Sequence, residues 1–153
     1  MNLSREIFLQ QEDISAQCID EIVTIEKDCH YNPWTKASFL SALQAHDILK
    51  KFILDDEVVG YFVAKLALDQ CELLNLTVKK TMQSKGIGRI ILNQLKEICL
   101  ARNISHIFLE VRRSNVKAIK LYGSFGFNET GIRKNYYRTK SGKEDAVLMG
   151  LSL

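Results

Sequence analysis

The chain predicts an α/β (α+β) fold, a mixed central sheet of about six to seven strands with helices on both faces. Three observations lead there. Runs rich in β-branched and aromatic residues alternate with runs whose apolar residues follow a helical period. The stretch from Cys71 to Val111 reads strand, helix, strand, which requires a right-handed parallel crossover. The other strand-like runs are separated by short polar turns and suit hairpins.

Taken in order, residues 7–9 form a short first strand. Ile14, Cys18, Ile22 and Ile25 then recur at helical spacing and predict a helix ending near Cys29. Pro33 breaks it, because proline disfavours helix at the residue before it. Thr35 suits the N-cap of a second helix reaching about Ala45. Residues 51–54 and 58–68 make a hairpin across Asp55-Asp56-Glu57, and 71–78 is the next strand. From Ile87, the positions Ile90, Ile91, Leu95, Ile98 and Cys99 trace one helical stripe that runs out near Arg102-Asn103. Within 104–111, Ile107, Leu109 and Val111 share one face of a strand, with Phe108 and Glu110 on the other. Ser114 or Asn115 can cap a helix carrying Ala118, Ile119, Tyr122 and Phe125, and Gly126 or Gly131 allows a turn after it. Two last strands, 132–137 and 146–151, are joined through Thr139-Lys140-Ser141-Gly142.

At 153 residues the chain suits one domain, 1–153, with a sizeable core. No apolar run approaches the ~20 residues that cross a bilayer. The N-terminus, Met1 to Glu6, reaches charged residues at once, without a secretory apolar stretch. A cytoplasmic protein without membrane contact is expected. The four cysteines, Cys18, Cys29, Cys71 and Cys99, show no C-x-x-C pair and no matching histidine spacing, so reduced thiols and no metal are expected. Cys29 and His30 are adjacent, which makes no catalytic dyad without help from elsewhere in the chain. The net charge of +3 is mild, though cations thicken between Arg112 and Lys143. A solvated face and a surface for an anionic cofactor or assembly are both open readings. Aromatic residues are too sparse for base stacking, which argues against direct nucleic-acid recognition.

The most informative stretch runs from Leu73 to Arg89. A strand-like run ends at Val78, a polar loop follows, and Gly86 and Gly88 open the long amphipathic helix. A helix start aims backbone N–H groups and the positive end of its dipole at the space above the loop, and a phosphate is the natural occupant. A Walker-type loop does not fit, since Arg89-Ile90 follow Gly88 where a lysine and a hydroxyl are needed. A dinucleotide fingerprint would need glycine at Ile91, although Glu110 stands where a ribose-binding acid would. The remaining pattern, Q/R-x-x-G-x-G/A, is met by Gln83-Ser84-Lys85-Gly86-Ile87-Gly88.

Further matches follow in order: Leu109-Glu110-Val111-Arg112, Ser114-Asn115, Ala118-Ile119, Leu121-Tyr122 and Gly126-Phe127. Asn135-Tyr136-Tyr137, Glu144-Asp145-Ala146 and Leu148-Met149 extend the set downstream, and Pro33-Trp34 upstream. Together these resemble the GNAT superfamily of acetyl-CoA-dependent N-acetyltransferases, in the bacterial branch acting on the N-terminal alanine of ribosomal proteins. The resemblance covers roughly residues 26–151. Two positions depart from it. Gly123 stands where a better helix former is usual, at ~1 kcal/mol of helix stability. Thr77 replaces a smaller residue, and neither position supplies a side chain the chemistry needs.

The resemblance implies acetyl-CoA as cosubstrate. Its pyrophosphate would lie on Ser84, Lys85, Gly86, Ile87, Gly88 and Arg89, its acetyl and pantetheine portion along Leu76, Thr77 and Val78, with Asn115 hydrogen-bonding the cofactor. It implies Glu110 as general base, directly or through water, and Tyr122 as the acid for the departing thiolate. Without it, Glu110 reads as a surface glutamate beside Arg112, Tyr122 as a core aromatic and Asn115 as a helix cap. Pro33, Trp34, Tyr136 and Tyr137 would flank the acceptor peptide. The partner implied is a protein N-terminus, that of a small-subunit ribosomal protein, and a monomer is expected. At pH 7 an α-amine is about a tenth neutral and a lysine only ~10⁻⁴–10⁻³, a gap of about 3.5 kcal/mol that one carboxylate bridges more easily for the α-amine. A lysine or small-molecule amine as acceptor, and a non-catalytic acyl-CoA-binding module, remain as alternatives.

Overall fold

The computed structural model describes residues 6–153, so the stretch read at the N-terminus lies outside the described residues except for Glu6. The elements in chain order are β1 (Gln10–Asp13), a 3-10 turn (Ala16–Cys18), α1 (Ile19–Cys29), α2 (Lys36–Gln44), β2 (Ile48–Leu54), β3 (Glu57–Ala67) and β4 (Gln70–Val78). A second 3-10 turn (Lys80–Met82), α3 (Ile87–Ala101), β5 (His106–Arg112), α4 (Val116–Phe125), β6 (Asn128–Thr139) and β7 (Gly142–Ser152) complete it. Seven strands make one mixed sheet in the order β1-β2-β3-β4-β5-β7-β6, the expected fold class. Two compact units divide the chain: Met1–Val63 with Asn75–Ile91, and Ala64–Leu74 with Leu92–Leu153.

In the first unit, the initial strand lies at Gln10–Asp13 and not at 7–9. Charge decides the register: Glu12 and Asp13 face Lys51 and Lys50 across the β1–β2 ladder and form ion pairs with them. Ile14 N donates to Leu49 O (3.0 Å), so the helix expected from Ile14 starts only after the 3-10 turn. Ile19, Ile22 and Ile25 are the buried face of α1, and Glu26 joins them. Thr35 caps α2 as expected, its hydroxyl accepting from Ser38 N (3.1 Å). Asp55 and Asp56 both take left-handed φ (50° and 63°), the combination that matches a two-residue turn to strand twist. Gly60 is obligatory for packing: a Cβ there would lie 2.8 Å from both Ile91 Cδ1 and Thr77 O.

In the second unit, β4 and β5 pair in parallel from Gln70↔His106 to Leu73↔Leu109, as the strand–helix–strand reading requires. β5 then pairs antiparallel with β7, and β7 with β6. Ile107, Leu109 and Val111 are buried as one row, while Phe108 and Glu110 on the other row remain partly open. Asn115 is the cap of α4, accepting from Ala118 N (3.2 Å), and Gly126 ends that helix at φ 122°. β6 starts at Asn128, earlier than expected, because Gly131 sits at a register shift inside the strand and makes no turn.

Candidate active site

The loop singled out in the sequence belongs to the first unit. Val78 closes β4, and its carbonyl accepts from Gln83 Nε2 (3.0 Å), which ties the loop back to the strand. Ser84 and Gly86 take φ of 61° and 85°, and Ile90 N makes its hydrogen bond to Gly86 O (3.3 Å) as α3 begins. Successive residues that alternate between right- and left-handed conformations can turn their N–H groups to one side, a backbone pattern that suits an anion. Lys85 and Arg89 are exposed, Ile87 is buried and Gly88 half-buried, so Ile87 anchors the turn while its neighbours face outward. Leu76 and Val78 are half-buried and Thr77 is buried.

Glu110 and Tyr122 belong to the second unit. Glu110 lies one residue past the last β4–β5 register pair and lines a groove of about 260 Å³ with Lys65, Gln70, Glu72, Phe108 and Leu148. Its ion-pair partner is Arg133 on β6 (Nε to Oε1, 3.3 Å), whereas Arg112, its neighbour along the strand, pairs with Glu144 (3.0 Å). Tyr122 is 7 % exposed, edge-on to Phe127 with ring centroids 5.6 Å apart. Burial, with nearby Tyr137, pushes its phenol well above the ordinary range, so it stays protonated. Asn115 spends its side-chain oxygen on the cap, which leaves its NH₂ group for any ligand.

The four candidate acceptor contacts fall into two pairs. Trp34 packs its ring on Phe39 (5.2 Å) and donates its backbone N–H to Glu26 Oε2 (2.9 Å), while Pro33 is half-buried. Tyr136 is 49 % exposed and sits edge-on to Tyr137. Arg133 lies over the Tyr136 ring (5.3 Å) and Arg112 over the Tyr137 ring (4.4 Å). Burial first, then the Glu110 carboxylate, raises the Tyr137 phenol. Glu144 receives Ser114 N (3.1 Å), Ser114 Oγ (3.0 Å) and Arg112. Partial burial acts upward on that carboxyl, but these donors outweigh it and hold it below its usual range. Among the described residues, no group of three His, Cys, Asp or Glu side chains is arranged to hold a metal ion.

Sequence reasoning missed the polar cluster centred on Glu26, which is 1 % exposed. Tyr61 OH (2.6 Å) and Asn75 Nδ2 (2.9 Å) donate to its Oε1. The Thr77 hydroxyl, set aside in the sequence as chemically idle, belongs to the same cluster, 3.4 Å from Oε1. A signal was present: Glu26 follows Ile19 and Ile22 on the apolar stripe, where a charge needs an internal partner.

A sequence profile of the Acetyltransferase (GNAT) family matches residues 19–127. The [Ribosomal protein bS18]-alanine N-acetyltransferase of Haemophilus ducreyi is 38 % identical over 143 residues, 93 % of this chain and 99 % of that one. The protein of that name from Salmonella typhimurium is 37 % identical over 129 residues, 84 % of this chain and 87 % of that one. The crystal structure of the Escherichia coli ribosomal-protein-S18-alanine N-acetyltransferase superposes with a TM-score of 0.89 at 32 % identity, covering 95 % of this chain and 94 % of that one. Members of this family use acetyl-CoA. With a matching profile over most of its length, near full-length relatives and the same fold, the chain belongs to the Acetyltransferase (GNAT) family.

Proposed function

We propose that this chain, acting as a monomer and as one N-acetyltransferase domain in the cytoplasm, transfers acetyl from acetyl-CoA to the N-terminal alanine of ribosomal protein bS18. One observation carries the acceptor: the near full-length likeness to enzymes of that name. In this reading Ser84, Lys85, Gly86, Ile87, Gly88 and Arg89 hold the pyrophosphate, Leu76, Thr77 and Val78 hydrogen-bond the acetyl-bearing arm, and the Asn115 amide adds a contact. The left-handed turn at Ser84 and Gly86 supports the first assignment.

Glu110 accepts a proton from the ammonium, and the neutral amine attacks the thioester carbonyl carbon. The C–S bond breaks and Tyr122 protonates the departing sulfur. The second proton shed by the new amide nitrogen replaces the one Tyr122 gave, so that one net proton, taken by Glu110, passes to solvent. The protonated, buried state of Tyr122 and the place of Glu110 on a groove wall support these roles. Pro33, Trp34, Tyr136 and Tyr137 are assigned to acceptor contact.

The test offers acetyl-CoA with an alanine-headed bS18 peptide, a lysine peptide blocked at its N-terminus, and a polyamine, read by mass spectrometry. Acetyl on the alanine α-amine is expected, with kcat falling about 10²–10⁴-fold in Glu110→Gln. Transfer only to lysine or the polyamine overturns the acceptor. Absence of turnover on every amine overturns the enzyme reading in favour of an acyl-CoA-binding module.

A further inference from the structure

The groove that Glu110 lines reaches beyond Glu110 itself, and the rest of it has no part in the reaction as written above. It lies within the second unit, along the parallel pair β4–β5. Glu72 stands opposite Phe108 in the register, and Glu110 follows Phe108 by two residues on the same face. All three line the groove, with Lys65, Gln70 and Leu148 around them.

Phe108 is 36 % exposed, a large aromatic side chain left open to solvent. Its neighbours hold the ring in place. His106, on the side away from Glu110, stacks on it with centroids 5.9 Å apart and planes 15° apart. Gly150, opposite it on β7, leaves room for its edge, since a Cβ there would lie 3.3 Å from the ring. An open apolar surface beside a carboxylate suits the methylene stem of a long cationic side chain.

Charge points the same way. Glu110 is already paired with Arg133, whereas Glu72 is exposed and has no ion-pair partner among the described residues. Lys65 also lines the groove, but it belongs to β3, and β4 lies between β3 and β5. A ligand entering from Glu110 therefore meets Glu72 before Lys65. Neighbouring strands lie ~4.8 Å apart and two residues along a strand span ~6.6 Å, which puts the Cα atoms of Glu72 and Glu110 about 8 Å apart.

We infer that Glu72 is a specificity-determining residue, which takes the lysine or arginine side chain of the acceptor's second residue while the stem of that side chain lies on Phe108. This rests on the acetyltransferase reading, which brings the acceptor's α-amine to Glu110. With the amine there, the second Cα lies ~3.8 Å beyond the first, and a long cationic side chain covers the remaining distance across Phe108. An alanine at that position leaves Phe108 bare and Glu72 without a cation. A glutamate sets two carboxylates side by side, which repel.

The test uses the full chain, acetyl-CoA and three peptides headed Ala-Lys, Ala-Ala and Ala-Glu but otherwise identical, with kcat/KM for the α-amine read by mass spectrometry. The wild type should favour Ala-Lys over Ala-Ala by about 5–30-fold, with Ala-Glu poorest. The difference should fall in KM for the peptide, because the contact is the same before and during acetyl transfer. Glu72→Gln should bring Ala-Lys and Ala-Ala within about threefold, and Glu72→Lys should put Ala-Glu ahead of Ala-Lys.

A wild type that turns over Ala-Lys and Ala-Ala within about twofold of each other, or that favours Ala-Glu, overturns the proposal. So does a lysine preference undiminished in Glu72→Gln or in Phe108→Ala. If the variants do not fold, the wild-type series decides alone. Each of these results still shows acetyl on an α-amine and removes this inference alone. A wild-type chain without turnover on any amine removes the reading beneath it as well.

Discussion

Glu26→Ala is the perturbation that tests the buried cluster most directly. It deletes the acceptor of Tyr61 OH (2.6 Å), Asn75 Nδ2 (2.9 Å) and Trp34 N (2.9 Å) at once. A buried donor left without a partner costs about 1–3 kcal/mol. Tyr61 is fully buried and takes the whole cost, while half-buried Asn75 and Trp34 recover part of theirs from water. Together with the void left by the side chain, the loss comes to roughly 4–6 kcal/mol. That is a large share of the ~5–15 kcal/mol that holds a typical domain folded. At ~2–4 °C per kcal/mol for a chain of this size, Tm should fall by about 8–24 °C. Glu26→Gln keeps the shape and one acceptor oxygen and should lose less than half as much. Urea denaturation of the three proteins, with matched m-values, reads the difference. A Glu26→Ala protein within ~1 kcal/mol of wild type would refute the argument, because the donors would then have found partners elsewhere.

Three further outcomes are expected. Gly60→Ala places a methyl 2.8 Å from Ile91 Cδ1 and Thr77 O and should destabilise by about 1–3 kcal/mol in calorimetry, with weaker acetyl-CoA binding. Gly123→Ala adds a methyl that meets nothing within 4 Å in α4 and should stabilise by about 0.5–1 kcal/mol. Glu144 has its folded-state pKa depressed, so its contribution is present above the unfolded carboxylate range, near ~4.3, and is lost as pH falls through the lower folded value. Glu144→Gln should therefore lower Tm at pH 7, and the gap to wild type should close on acidification.

Much of the architecture was legible because it depends on local pattern. The alternation in β5, the Thr35 and Asn115 caps and the Gly86 turn each follow from a few adjacent residues. Features set by distant partners were not legible. The first strand was misplaced because its register depends on lysines some forty positions away in β2, which outweigh the apolar run at 7–9. Without the resemblance Glu110 read as a surface glutamate beside Arg112, two residues along the same strand, whereas its ion-pair partner, Arg133, reaches it from β6. His30 had no visible partner in the sequence because Thr77, whose hydroxyl lies 2.8 Å from its Nε2, is 47 positions ahead. Periodicity reports which face a residue occupies and says nothing of which side chain waits there.

The ion pair between Arg133 and Glu110 bears on how an acceptor docks. A peptide ammonium reaching Glu110 would trade places with a guanidinium already there, and the total charge beside the carboxylate would be the same afterwards. Exchange of one cation for another leaves little net field for dissolved ions to screen. Acceptor affinity should accordingly be nearly indifferent to ionic strength, and the enzyme would work as well in the crowded electrolyte around a ribosome as in dilute buffer.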